Sequence, residues 1–151
     1  NEEVILDFGG LSLGVTGASR AKIDASGRLR VFMPKGKWGV HDTGVQFRTP
    51  VVKSSHFSLE YKVIFDGNLK NYDFTSGGKL PGLGGGKFYS GGLPATNGDG
   101  FSIRFMFGTN RTTGAGKIWP YVYHYKQQGI YGDWFSAQFY LFNDGLANRE
   151  G

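Results

Sequence analysis

Apolar and polar positions alternate along this chain in short runs, and no stretch shows a convincing helical period. Phe57, Leu59, Tyr61, Val63 and Phe65 share one face, with Ser58, Glu60 and Lys62 on the other, which is the clearest strand pattern in the sequence. Phe101, Ile103, Phe105 and Phe107 form an apolar face opposite Ser102, Arg104 and Met106, and Trp119, Tyr121, Tyr123 and Tyr125 lie opposite Val122 and His124. Val45 to Arg48 alternates with Val45 and Phe47 inward. Ala21 to Ile23 and Arg28 to Met33 flank Asp24-Ala25-Ser26-Gly27, a good hairpin turn by composition. Val4 to Phe8, Leu11 to Val15 and Phe135 to Phe142 complete the expected extended segments, and Asn71 to Phe74 leads into a glycine-rich stretch. Strands at short, turn-punctuated spacing predict an all-β fold, an antiparallel two-sheet sandwich or barrel, with the jelly roll preferred.

Composition strengthens this picture. The 151 residues include 26 Gly, 13 Phe, 8 Tyr and 3 Trp but only 5 Pro, as expected for aromatic strands joined by glycine turns. A single domain over residues 1–151 fits this length. The first residues, Asn1-Glu2-Glu3-Val4, read as the start of a mature or trimmed segment.

Net charge is +5 and favours an acidic partner. Nucleic acid, an anionic membrane and an acidic polysaccharide all qualify on charge alone. The basic residues are not gathered into one stripe, which disfavours nucleic acid, and no apolar run is long enough to span a bilayer. With no cysteine there is neither a disulfide nor a thiolate metal site. His41, His56 and His124 lack metal-ligand spacing, and the carboxylates are scattered rather than paired for hydrolysis, so a hydrolase or metalloenzyme is disfavoured and no cofactor is implied. Asn110-Arg111-Thr112 matches the N-glycosylation acceptor pattern, a short motif that often occurs by chance.

The most unusual stretch runs from Ser76 to Lys87, Ser-Gly-Gly-Lys-Leu-Pro-Gly-Leu-Gly-Gly-Gly-Lys. It sets Lys79 and Lys87 among glycines that permit tight turns and close approach of a ligand. No Gly-Lys-Ser/Thr closes a phosphate-cradling pattern and no helix-forming segment follows, so nucleotide binding is set aside. Two readings stand: a long mobile surface loop with solvated lysines, or a ligand-binding loop. Downstream, a hairpin connection would set Ser102 and Arg104 beside Tyr121 and Tyr123 on the outer face of neighbouring strands. Such a face can stack sugar rings and bind their charged groups, or it can be an ordinary solvated face.

These blocks resemble a known family. The glycine-lysine segment, preceded by Met33-Pro34-Lys35-Gly36-Lys37 and Gly44-Val45-Gln46-Phe47-Arg48, and followed by 97–104, Asn-Gly-Asp-Gly-Phe-Ser-Ile-Arg, and Tyr121-Val122-Tyr123, is similar to the alginate and glucuronate lyases of polysaccharide lyase family 14. The glucuronan lyases of family 20 stand close by. The resemblance covers roughly Arg28 to Tyr131 and implies a secreted jelly-roll enzyme that cleaves uronic-acid polymers by β-elimination. It further implies that Lys79, Ser102, Arg104, Tyr121 and Tyr123 are associated with activity. Family members continue with further strands, so the chain is expected to be a fragment or a divergent compact version.

The chemistry needs these residue types. Elimination removes the proton on C5 beside a carboxylate, whose growing negative charge must be neutralised, and Arg104, Lys79 and Gln46 are the candidates. Arg48 and Lys87 are further substrate-binding candidates. A base takes the C5 proton and an acid protonates the departing O4. Tyrosine can do either, although its ordinary pKa of about 10 must fall before it is a useful base, which a neighbouring Arg or Lys achieves. Tyr123 is expected as base or combined base and acid, with Tyr121 assisting and Ser102 orienting a neighbour. The rival readings are a non-catalytic module that binds acidic carbohydrate and a structural protein that has kept the fold.

Overall fold

The computed structural model describes residues 14–65, 77–109, 116–135 and 139–140. The described residues contain one three-residue 3-10 turn, Ala18–Arg20, and otherwise only strands and irregular segments. The expected all-β, antiparallel character is met. Among the described residues no helix is long and apolar enough to cross a membrane. The chain falls into two compact units, Asn1–Phe57 and Ser58–Gly151.

The first unit carries the expected hairpin. Strands β1 (Ala21–Ile23) and β2 (Leu29–Val31) pair antiparallel with Ala21 opposite Val31. The turn is built by Asp24, whose Oδ1 accepts from the Ser26 and Arg28 backbone N–H at 2.9 and 3.1 Å, while its Oδ2 meets Arg28 Nε at 3.0 Å. These bonds, the Arg28 backbone N–H first, hold the Asp24 carboxyl below its ordinary pKa. Gly27 closes the turn at φ +72°, a conformation that suits glycine. The strand expected over 45–48 is reduced to one bridge, in which Gln46 and Thr16 exchange backbone hydrogen bonds of 2.8 and 2.9 Å.

The second unit is organised around β3 (Gly78–Gly86), β4 (Gly100–Thr109), β5 (Gly116–Tyr123) and β6 (Asp133–Trp134), paired in that order, with β7 (Phe139–Tyr140) also pairing β5. Two expectations change here. The glycine-lysine stretch is a nine-residue strand, not a loop. Its glycines are needed because β4 side chains and backbone fill the space where a Cβ would stand: at Gly82 that atom would lie 2.0 Å from the Ile103 carbonyl oxygen and 2.6 Å from Arg104 Cγ. A bulge between Lys79 and Gly82 sets Leu80 and Pro81 against Phe105, which gives Pro81 a place in the strand.

The second change concerns 57–65, where the period-two pattern is the strongest and no strand forms. Alternation states which side chains could share a face, but a strand also needs a neighbouring edge for its N–H and C=O groups. The segment makes specific contacts instead: the Tyr61 hydroxyl donates to the Pro81 carbonyl at 3.0 Å, and Phe65 packs edge-on to Phe107 with ring centroids 5.2 Å apart. The strand expected over 135–142 is represented by β7, with β6 just before it. The extended segment expected at 4–8, most of that at 11–15, the stretch 71–74 and the acceptor motif at 110–112 lie outside the described residues.

Candidate active site

Register assembles the site. Ser102 stands opposite Tyr123, Arg104 opposite Tyr121, and Met106 opposite both Trp119 on β5 and Lys79 on β3. Directly opposed residues share a sheet face, so Lys79, Ser102, Arg104, Tyr121 and Tyr123 lie on one surface. The bulge in β3 keeps Lys79 there and also brings Gly82 opposite Arg104 and Gly84 opposite Ser102. Two positions beside the charged residues therefore carry no side chain. The Arg104 stem lies against Gly82, and the Phe88 ring lies against Gly84, where a Cβ would meet it at 2.8 Å.

This face is covered rather than outer. Tyr121 is 5% and Tyr123 1% exposed, Ser102 is fully buried, and the two tyrosines form a cluster with Tyr89 and Ala95. By contrast Phe101 and Ile103, on the apolar face expected to point inward, are 46% and 39% exposed. The cover is made by chain segments that hydrogen-bond into the site.

The Tyr121 and Tyr123 hydroxyls are 3.3 Å apart, with the rings edge-on at 89°. The Gly92 backbone N–H donates to the Tyr123 hydroxyl at 3.2 Å, and that of Gly132 donates to the Tyr121 hydroxyl at 3.0 Å. Lys79 Nζ lies 5.5 Å from the Tyr121 ring centroid. The Arg104 guanidinium carbon is 5.6, 6.0 and 5.9 Å from the ring centroids of Phe88, Tyr121 and Tyr123. The cations are thus set against aromatic faces, where the ring quadrupole attracts them.

These surroundings separate two chemically identical groups. Burial and the shared hydrogen bond push Tyr121 up to about 12. Burial also acts to raise Tyr123, but the hydrogen bond from Tyr121, the backbone N–H groups of Gly92 and Gly132, and the charge on Lys79 outweigh it and bring Tyr123 below its ordinary value. Lys79 is itself lowered, first by desolvation and then by repulsion from Arg104, with Tyr123 opposing. Of the pair, Tyr123 is the hydroxyl that ionises first.

Of the residues that hold this arrangement, sequence reasoning named Ser102 and missed the others. Ser102 Oγ donates to the Tyr89 carbonyl at 2.6 Å, fixing the segment that leads to Gly92. Gln127, 4% exposed, accepts from the Ala95 and His124 N–H groups at 3.2 and 3.1 Å and donates to the Gly129 and Tyr131 carbonyls at 2.8 and 3.1 Å. One amide therefore ties the segment bearing Gly92 to the segment bearing Gly132. His124 points away from the tyrosines and pairs through Nε2 with Asp133 Oδ2 at 2.8 Å, next to Gly132. The doublet Gly91-Gly92 was a visible signal, whereas a glutamine in an irregular segment carries none.

The remaining expected residues lie elsewhere. Lys87 follows β3 and stacks on Tyr89, its Nζ 5.2 Å from the ring centroid. Gln46 and Arg48 belong to the first unit. Among the described residues no group of three or more His, Cys, Asp and Glu side chains could hold a metal ion.

The family model for polysaccharide lyase 14 matches residues 22–139. This chain belongs to polysaccharide lyase family 14. Among solved structures it is similar to alginate lyase Aly36B, with 27% identity and a TM-score of 0.63 over 83% of this chain and 50% of that one. It is also similar to a mutant of Aly36B in complex with an alginate trisaccharide, with 25% identity and a TM-score of 0.66 over 91% of this chain and 54% of that one. The family 14 chain therefore spans about half the length of the alginate lyase structures it matches, and shares their β-sandwich, jelly-roll class of fold. No curated protein matches it.

Proposed function

We propose that this family 14 chain carries the catalytic face of an extracellular lyase that cleaves a uronic-acid polymer by β-elimination, with alginate as the first substrate to test. The observation that carries this reading is the pair of tyrosine hydroxyls 3.3 Å apart whose acidities are driven in opposite directions beside Lys79 and Arg104. Groups split in this way suit opposite proton-transfer roles. Family membership and the likeness to an alginate lyase, one form of which holds an alginate trisaccharide, support the substrate class.

In this mechanism Tyr123 as phenolate takes the C5 proton, the C4–O4 bond breaks, and the electron pair forms the C4=C5 double bond. Tyr121, still protonated, donates to the departing O4. Arg104 and Lys79 neutralise the carboxylate as charge builds on it, an effect of about 3–4 kcal/mol per well-aimed donor. Ser102 acts through the Tyr89 segment that it holds. Lys87, beside Tyr89 in the same unit, is a further substrate-binding residue. Because both tyrosines are buried, substrate entry includes a shift of the cover near Gly92 or Gly132.

The test is the ultraviolet absorbance of the unsaturated uronate product on polymannuronate, polyguluronate and glucuronan. One polymer should give product, and Tyr123→Phe should lower the rate by about 100-fold or more. An unchanged rate in Tyr123→Phe removes the assignment of the base. Retention on a polymer without product would replace the lyase with the carbohydrate-binding module.

A further inference from the structure

A second cluster lies one strand beyond the tyrosine pair. Trp134 on β6 stands directly opposite Tyr121, and Trp119 and Lys117 precede Tyr121 at two-residue steps on β5, so all three share the face of the site. The Trp119 and Trp134 ring centroids are 5.3 Å apart, and Lys117 Nζ lies 4.7 and 5.7 Å from them. Trp119 is buried, whereas Trp134 is 64% exposed.

A lysine laid over an exposed aromatic ring is common on protein surfaces, and Lys126 over Tyr125 is such a case in this chain. Placement distinguishes the tryptophan cluster. Gly82, Arg104, Tyr121 and Trp134 are consecutive register partners across β3, β4, β5 and β6. At about 4.8 Å between strands this row spans about 14 Å, room for a short run of sugar rings lying across the sheet. It begins at a position without a side chain, passes the guanidinium and the phenol, and ends on a large exposed indole with an ammonium over its ring.

We propose that Trp134, with Lys117 and Trp119 beside it, forms a subsite for the uronate unit next to the one held at the tyrosine pair. The indole face stacks on the C–H face of that ring, and Lys117 pairs with its carboxylate. The occupant is fixed by charge complementarity and by continuity with the reactive row. The inference rests on the reading of this face as a uronate-polymer site.

Binding without turnover tests it. In the full chain bearing Tyr123→Phe, alginate-derived di- to pentasaccharides are titrated by calorimetry and by tryptophan fluorescence. Adding Trp134→Ala should weaken the pentasaccharide about tenfold, and Trp134→Phe should recover most of it. Lys117→Met should flatten the salt dependence of pentasaccharide affinity. Pentasaccharide affinity within about twofold of the parent in Trp134→Ala overturns the subsite. Absence of binding to any oligomer overturns both readings. Oligomer binding through Trp134 with no unsaturated product from the unaltered chain removes the lyase and keeps the subsite. Product formation with Trp134-independent binding does the reverse.

Discussion

On one face of the β4–β5 pair, Ser102, Arg104, Tyr121 and Tyr123 are packed beneath hydrogen-bonded cover, whereas on the other face of the same strands Phe101 and Ile103 stand largely open. The two faces share a backbone, a register and a length, so neither strand propensity nor pairing accounts for the difference. What differs is the cover. The segments from 88 to 98 and from 124 to 132 close over the polar face because that face offers them partners: Ser102 meets the Tyr89 carbonyl, and the two hydroxyls meet the Gly92 and Gly132 N–H groups. On the apolar face, burial is achieved at Phe107, where Phe65 packs against it. Among the described residues, the polar face is closed through specific hydrogen bonds, so its burial does not require an apolar surface. A buried polar group with its hydrogen bonds made costs little, whereas one left unpaired costs about 1–3 kcal/mol.

The largest expected effect tests whether the covered face is chemically distinct as well as packed. With Tyr123 depressed below its ordinary value and Tyr121 pushed up to about 12, activity should rise with pH as Tyr123 ionises and fall as Tyr121 loses its proton. The charge on Lys79 favours the Tyr123 phenolate, so its removal raises the Tyr123 pKa and moves the ascending limb to higher pH. Lys79→Met should therefore cut the rate near neutrality by about 100-fold, with part of the loss regained as pH is raised. A full pH–rate profile of the variant checks this. An ascending limb that stays in place would show that Lys79 does not act on Tyr123.

That chemistry was legible in the sequence to the extent that it depends on register. Once Phe101 to Phe107 and Trp119 to Tyr125 were expected as neighbouring strands, period two alone set Ser102 and Arg104 beside Tyr121 and Tyr123. Two things were not legible. A glycine-rich run reads as a loop because glycine favours no extended structure, yet Gly78–Gly86 is a strand in which bulk is excluded by what lies across from it, as with the Arg104 stem at Gly82. Conversely, 57–65 has the ideal alternation and no ladder, because pairing is supplied by a partner that local pattern cannot reveal. The inside and outside of β4 were inverted for the same reason. Period two separates the faces but does not say which is covered.

A middle-sized effect separates cover from chemistry. Gln127→Met keeps the volume of the side chain and removes all four hydrogen bonds, leaving the Ala95 and His124 N–H groups and the Gly129 and Tyr131 carbonyls to find new partners. Destabilisation of about 1–3 kcal/mol should appear in denaturant unfolding. If the amide also holds Gly92 and Gly132 against the hydroxyls, the ascending limb of the pH–rate profile should move to higher pH, since both N–H groups lower Tyr123. Glutamate keeps the acceptor for the Ala95 and His124 N–H groups but turns a charged oxygen towards the Gly129 and Tyr131 carbonyls in a buried site, so Gln127→Glu should destabilise at least as much as Gln127→Met. Lower stability with an unmoved pH profile would make Gln127 structural only.

The smallest expected effect lies on the open face and decides whether the comparison holds. Ile103 sits between Gly82 and Gly84 on the register line and is 39% exposed, with its side chain directed away from Arg104 and Ser102. Ile103→Thr keeps the β-branch that suits a strand and removes apolar surface that is already partly in water. If the covered face supplies the packing of this sheet, the change should alter stability by no more than about 0.5 kcal/mol and leave the pH–rate profile in place. A loss matching that of Gln127→Met would mean that the apolar face is packed in solution as fully as the polar one. The contrast between the faces would then disappear, and with it the reading that the hydrogen-bonded cover is what sets the polar side of β4 apart.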